Sequence, residues 1–321
     1  MLKIRKAERR QSKLRIGLSA PSGAGKTYSA LKLAQGLASS WDKIGIIDTE
    51  NGSADLYAHF GEYNVLPLEA PYTPERYIEA LKALEEAGME VIIIDSMSHE
   101  WDGKGGLLQS NEVLATAKFK GNGWAAWSES TPKHQTLLEA ITTSPVHIIT
   151  TTRNKVETMM TDGKVKKVGI KEIQRDGFEY ELTVSFNIDR DTHMAIAGKD
   201  RTELFEGKDP FVITEKTGEA LKAWSEEGQN EQEEIIKRIE VTLEKLGTPM
   251  TDKALAFFKG KRIPELRVYE EKYNKDLEDK PKDPAPAAPK EKKPDGVAVA
   301  KAQAEAIMPD APKKKMPKKN K

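Results

Sequence analysis

Apolar residues along this 321-residue chain follow two alternating rhythms. Short runs rich in β-branched residues, LRIGLSA, KIGIIDT, NVLPL, EVIIIDS and VHIITTT, are separated by stretches with helical spacing. Buried strands alternating with amphipathic helices predict an α/β domain with a mostly parallel, twisted sheet. In PERYIEALKALEEAG, residues Tyr77, Ile78, Leu81 and Leu84 share one helical face, and Gly88 supplies a stop. FEYELTVSFNI and THMAIAG, separated by Asp189-Arg190-Asp191, read as an antiparallel hairpin extending the sheet. This core is expected over residues 13–228, after an N-terminal extension of residues 1–12.

A different pattern follows. Over residues 229–277, Ile235, Ile236, Ile239, Leu243 and Leu246 form one apolar stripe ended by Gly247, and ALAFFKGKRIPELRVYEEKY reads as one or two short helices. This predicts a small helical unit. Residues 278–321 are rich in Pro, Ala and Lys and end in KKKMPKKNK, the composition of a disordered tail. A solubilising role and a loose electrostatic contact with nucleic acid are both open for that tail.

Composition narrows the chemistry. Charged residues make up 32% and hydrophobic residues 38%, consistent with part of the chain staying unpacked. Net charge is zero, so any nucleic-acid role requires local basic patches. The absence of cysteine excludes disulfides, thiolate metal sites and cysteine nucleophiles. No apolar run approaches the roughly 20 residues that span a bilayer. The charged start MLKIRKAERRQSK lacks a signal peptide's apolar core, so the expectation is cytoplasmic, with no membrane partner.

The stretch LSAPSGAGKTY carries the phosphate-binding pattern G-x-x-x-x-G-K-[ST], with Ala20 at its first position. Alanine is tolerable there if its φ is negative. Ser22, Gly23, Ala24 and Gly25 supply a small backbone whose N–H groups can cradle phosphate at a helix N-terminus. Lys26 would reach the β- and γ-phosphates and the Thr27 hydroxyl would ligate Mg²⁺, with Tyr28 completing the candidate set. Downstream, EVIIIDS is a buried strand ending in Asp95, where such folds place a carboxylate that holds the metal. ATP and Mg²⁺ are the implied cofactors.

The segment IGIIDTENGSADLY, with Asp48-Thr49-Glu50 at its strand end and Tyr57 beyond, resembles the RecA-like recombinases. That resemblance implies that Glu50 orients the attacking water and Tyr57 stacks on adenine. It also implies that Lys199 and Arg201, in MAIAGKDRTELF, cross a subunit interface to a neighbour's γ-phosphate, which requires a ring or filament of identical chains. VHIITTTR ends in a polar run in which Thr151 would sense the γ-phosphate. The following segment, with Arg153, Lys155, Lys164, Lys166, Lys167 and Lys171 around an Asp162-Gly163 turn, corresponds to the family's DNA-binding loop.

The earlier segment offers Lys104, Lys118, Lys120, Trp124 and Trp127. The two tryptophans sit three apart at the opening of a helix, which favours core packing over base stacking. The chain does not resemble bacterial RecA's N-terminal helical domain, and its basic hairpin is not glycine-rich. With QRDGFEYE and LFEGKDPFVITEKTGEALKAW, these departures resemble the shortened RecA-like ATPases of bacteriophages, associated with recombination and single-strand annealing.

The expectation is therefore a phage- or prophage-encoded ATPase with a RecA-like P-loop core. It would bind single-stranded DNA as an oligomer in the bacterial cytoplasm, with a single-strand binding protein as a candidate partner. One rival is an ATP-driven switch or chaperone acting on a protein in phage replication or assembly; another is a binding module that does not hydrolyse ATP. A transporter ATPase is disfavoured because nothing resembles LSGGQ.

Overall fold

A computed structural model describes residues 6–161 and 164–279, with side chains of 156–170 outside the description. The apolar runs become β1 (Arg15–Ala20), β2 (Ile44–Asp48), β3 (Asn64–Pro67), β4 (Val91–Asp95) and β5 (His147–Thr161). With β7 (Val184–Ile188) they form the parallel part of a sheet, in the order β3-β2-β4-β5-β1-β7. The antiparallel extensions are β8 (Ala195–Asp200) against β7 and β6 (Lys164–Glu172) against β5. Strands β1, β2 and β4 are buried along their whole length, hence their unbroken apolar character. In a parallel sheet the carboxyl ends gather at one edge, here Ala20, Asp48, Asp95 and Thr151–Arg153.

Helices cover both faces. On one, α1 (Lys26–Leu37) and α6 (Glu215–Glu226) pack over Ile16, Leu18, Ile46 and Phe186. On the other, α2 (Pro74–Glu86) and α5 (Gly123–Thr142) pack over Ile47, Ile92, Ile94 and Ile148. Helix α2 buries Tyr77, Leu81 and Leu84, as its spacing predicts. Two further helices, α3 (Ser98–Asp102) and α4 (Leu107–Lys118), lie between β4 and α5.

The helical unit comprises α7 (Glu231–Leu246), α8 (Asp252–Lys259) and α9 (Ile263–Glu278) around Ile235, Ile236, Ile239, Leu243, Phe258 and Leu266. Ion pairs join it to the rest: Arg262 to Glu85 at 2.5 Å and Arg10 to Glu231 at 2.8 Å. Residues 9–12 lie along the end of α6, where Arg9 stacks on Trp224 and the Ser12 N–H donates to the Ser225 carbonyl. The expected tail, residues 280–321, lies outside the described residues. No helix among the described residues is long and apolar enough to cross a membrane.

One expected strand segment differs. Phe178–Glu181, read as the start of a strand, is a 3₁₀ turn entered through Gly177 at φ 96°. Its carbonyls at Glu179 and Tyr180 accept hydrogen bonds from Lys199, and that of Tyr180 also from Arg201. Tertiary donors stabilise the turn against the local strand preference of Phe and Tyr.

Helices α1 and α6 touch at two glycines. A Cβ on Gly36 would stand 2.0 Å from the Glu215 carbonyl oxygen, and one on Gly218 2.3 Å from that of Leu33. Since α1 carries the phosphate-binding pattern, this crossing fixes its position. Gly36→Ala is expected to lower stability by about 1–3 kcal/mol through overpacking, read as a shift of the urea midpoint.

Candidate nucleotide site

The loop leaves β1 at Ala20, which belongs to the strand and is not among the positive-φ residues. Its substitution for glycine thus carries no backbone strain. The left-handed positions are Gly23 (φ 80°) and Gly25 (φ 88°), flanking the buried Ala24. Left-handed residues alternating with right-handed ones turn successive N–H groups into a concavity, an anion nest at the start of α1. Lys26 lies back across the loop entry and donates to the carbonyls of Ala20 (3.1 Å) and Pro21 (3.0 Å). Burial pushes its pKa down, while Asp95 and Glu50 act in the opposite sense.

Asp95 ties three elements together. Its Oδ2 accepts from the Thr27 hydroxyl at the start of α1, and its Oδ1 from the Thr151 hydroxyl on β5, each at 2.6 Å. Burial pushes the Asp95 carboxyl up, and the two hydroxyls offset part of that cost. Thr151, expected to sense a γ-phosphate, is fully buried against this carboxylate. It is linked to the loop through Asp95, which also accepts from Thr27.

Beyond β2, Asp48 accepts from the backbone N–H groups of Glu50 (2.6 Å) and Ala54 (3.1 Å), shaping the turn that presents Glu50. Arg153, at the root of the β5–β6 hairpin, grips that glutamate with two hydrogen bonds: Nε to Oε1 at 2.9 Å and Nη2 to Oε2 at 2.7 Å. Burial pushes Glu50 up, but the Arg153 guanidinium outweighs it and holds the carboxyl below its usual range. Arg153, a candidate DNA contact on sequence, has its guanidinium engaged by Glu50. Beside the pair, His99 stacks on Tyr72 and its Nδ1 lies 2.7 Å from the Thr49 hydroxyl. Burial, then the Arg153 charge, lowers its pKa.

The remaining expected residues divide. Tyr57 joins Tyr28 and Phe60 in an aromatic cluster beside the first turn of α1, with Tyr28–Tyr57 centroids 6.2 Å apart. Lys199 and Arg201 are not gathered with the loop. Lys199 lies within β8 and not beyond it, opposite Ser185, which pairs with Gly17, and the Arg201 N–H donates to Thr183. Their backbone sits at the amino end of β1, roughly 10–15 Å along the strand direction from its loop. Their side chains are engaged with the Glu179 and Tyr180 carbonyls.

On the hairpin, Lys155 is exposed and Lys171 pairs with Asp176 at 2.8 Å. The backbone register from Asn154 opposite Glu172 to Thr161 opposite Lys164 forms the expected antiparallel pair. The side chains of Lys164, Lys166 and Lys167, and the Asp162-Gly163 turn, lie outside the described residues. The core-packing expectation fails for Trp124, which is 90% exposed on the first turn of α5. Trp127 does pack, stacking on Trp101 with Arg175 over its ring.

His193 belongs to no motif in the sequence. It sits at φ 57° in the β7–β8 turn, with Nδ1 3.2 Å from the carbonyl oxygen of Ala24. No local pattern announces a contact between residues so distant in the chain.

Residues 12–211 match the family model described as "AAA domain". The chain belongs to the AAA-domain family. The match runs from just before β1 to Phe211, and so includes the loop, Glu50, Asp95, Arg153 and the β7–β8 hairpin. This AAA domain is an ATPase. No curated protein matches it. Among solved structures, a prototypical ATPase from the type III secretion system of pathogenic bacteria is 16% identical, covering 82% of this chain and 80% of that one. Its TM-score of 0.32 is too low to bear an argument.

The donor set of the AAA domain fits a nucleotide with its magnesium. No cluster of three acidic or histidine side chains exists among the described residues to hold a metal alone. The adjacent Thr27 hydroxyl and Asp95 carboxylate instead offer the sparse protein ligation of an ion that shares phosphate oxygens.

The Glu50–Arg153 pair has a pH signature. Because Glu50 titrates below its unfolded value, its contribution is present above the unfolded carboxylate range and lost as pH falls through the folded pKa. Both side chains are partly exposed, so Arg153→Met is expected to cost only about 1 kcal/mol near neutrality. Urea melts of the two proteins should converge as pH falls through the folded pKa of Glu50; an unchanged gap would show that the pair is not ionic in origin.

Proposed function

We propose that this AAA-domain protein is a RecA-like ATPase of the bacteriophage type that binds single-stranded DNA as a homo-oligomer and assists recombination or strand annealing. The observation carrying this reading is that one strand, β5, touches both candidate nucleotide-site carboxylates and runs on into the basic hairpin. Its Thr151 holds Asp95, its Arg153 holds Glu50, and it continues into the lysine-bearing hairpin. A nucleic-acid backbone drawn to that hairpin would act on the same segment that restrains the candidate water-orienting carboxylate.

Each residue then has a defined task. The nest of Gly23, Ala24 and Gly25 receives phosphate oxygens, and Lys26, turning from the Ala20 and Pro21 carbonyls, compensates their charge. Thr27 and Asp95 would hold a magnesium ion, which would supply positive charge beside the phosphoryl oxygens. Glu50 aligns the attacking water once Arg153 releases it, and Tyr57 and Tyr28 flank the base. Lys199 and Arg201, bonded away from their own loop, serve a neighbouring subunit. Arg153 couples the two sites by exchanging Glu50 for phosphate. A second reading, an ATP-driven switch for a protein partner, draws support from the exposed Trp124 and Val113 near the α4–α5 junction.

Hydrolysis by the purified protein is expected to rise with single-stranded DNA and to depend on protein concentration. Neutralising Lys164, Lys166 and Lys167 together should weaken oligonucleotide binding and flatten its salt dependence, leaving basal hydrolysis unchanged. Unaltered strand affinity would favour the protein-partner reading. Glu50→Gln should reduce turnover by at least about 100-fold with ATP still bound. The contribution across subunits has its own test: mixing inactive Lys26→Ala protein with inactive Lys199→Ala/Arg201→Ala protein should restore part of the activity. A mixture as inactive as its parents would remove the basic pair from catalysis.

A further inference from the structure

We infer that His193 is a positioning residue of the phosphate loop, locking the Ala24–Gly25 peptide in the orientation that turns the Gly25 N–H toward phosphate. The inference rests on the assignment of this loop to the nucleotide.

The argument starts from the peptide plane. In a trans peptide the carbonyl and the following N–H point in opposite directions, so fixing one fixes the other. The Ala24 carbonyl lies 3.2 Å from His193 Nδ1. A carbonyl oxygen only accepts, so Nδ1 is the donor and carries the proton. The Ala24 oxygen is thereby held toward the β7–β8 turn, and the Gly25 N–H points away from it. Glycine at φ 88° rotates easily, so this peptide is free to flip without an external restraint. A flip would turn a carbonyl oxygen toward the phosphate and remove a donor from the nest.

His193 is itself rigidly placed. Strand β7 runs parallel to β1 with Asn187 level with Ser19, so the following turn emerges beside the loop. Asp189 organises that turn, accepting from the N–H groups of Asp191 (3.1 Å) and Thr192 (2.9 Å) and from the Thr192 hydroxyl (2.8 Å). The His193 N–H donates to the Asp189 carbonyl at 3.0 Å, and at the start of β8 Ala195 exchanges both backbone hydrogen bonds with Phe211. Phe211 in turn packs against Phe186 and Phe205. The imidazole is therefore delivered from a braced hairpin.

A pair of variants separates the donor from the backbone. His193→Gly tolerates the left-handed φ and removes the donor; His193→Asn tolerates the same φ and places an amide N–H where Nδ1 stood. Calorimetric titration of wild type and both variants with ADP and Mg²⁺, on proteins shown to be folded by thermal melts, reads the effect. His193→Gly should bind ADP about five- to tenfold more weakly, the worth of one neutral hydrogen bond. His193→Asn should stay within about twofold of wild type. Equal affinity for His193→Gly and wild type overturns the inference, as does a His193→Asn protein as weak as His193→Gly. Wild-type protein that binds no ADP would instead overturn the nucleotide assignment itself.

Discussion

The Asp95 carboxylate, nearly sealed from solvent, is the point on which this molecule's architecture turns. A buried carboxylate is costly unless it is hydrogen-bonded, and here one donor comes from the first turn of α1 and the other from β5. Those two threonine hydroxyls register the phosphate loop and the hairpin strand against β4. The approach of α1 to α6 through Gly36 and Gly218 braces the same helix from its far end. Helix position, loop shape and strand order thus converge on one carboxylate. A metal ion shared with phosphate would find its protein ligands already in place.

A second layer of charge surrounds that centre. Glu50 is held by Arg153, whose own N–H is fixed by the Ser98 hydroxyl at 2.8 Å, so the glutamate is restrained by the strand that becomes the hairpin. The returning strand is anchored close by. Gln174 donates to the Met97 carbonyl and to the buried Glu100, which faces His134 at 3.0 Å. Both roots of the hairpin therefore hang on the short segment that follows Asp95. Direct bonds from β5 reach both Asp95 and Glu50, which is the physical basis for the coupling proposed above.

Much of this was legible in the residues. Strands β1, β2 and β4 are buried on both faces, so their apolar runs were unambiguous, and the helical faces of α2 and α7 declared themselves by spacing. Less legible was any element whose conformation depends on remote partners. Phe178–Glu181 has strand-forming residues but is capped by Lys199 and Arg201 as a turn. Trp124 opens a helix three residues before the packed Trp127, yet its own side chain is exposed. Arg153 sits among lysines in sequence, yet the geometry of the β5 terminus brings it to Glu50.

By itself, the sequence determined the α/β class, the phosphate loop with Lys26 and Thr27, and the strand-end acids Glu50 and Asp95. Each of these is written in contiguous residues by local spacing and burial. Only the tertiary structure decided which charges meet. It paired Arg153 with Glu50, buried Thr151 against Asp95, carried Lys199 and Arg201 away from their own loop and set His193 against Ala24. The reason is physical: strand order and register bring side chains together across the sheet, and neither is encoded in any short stretch of chain.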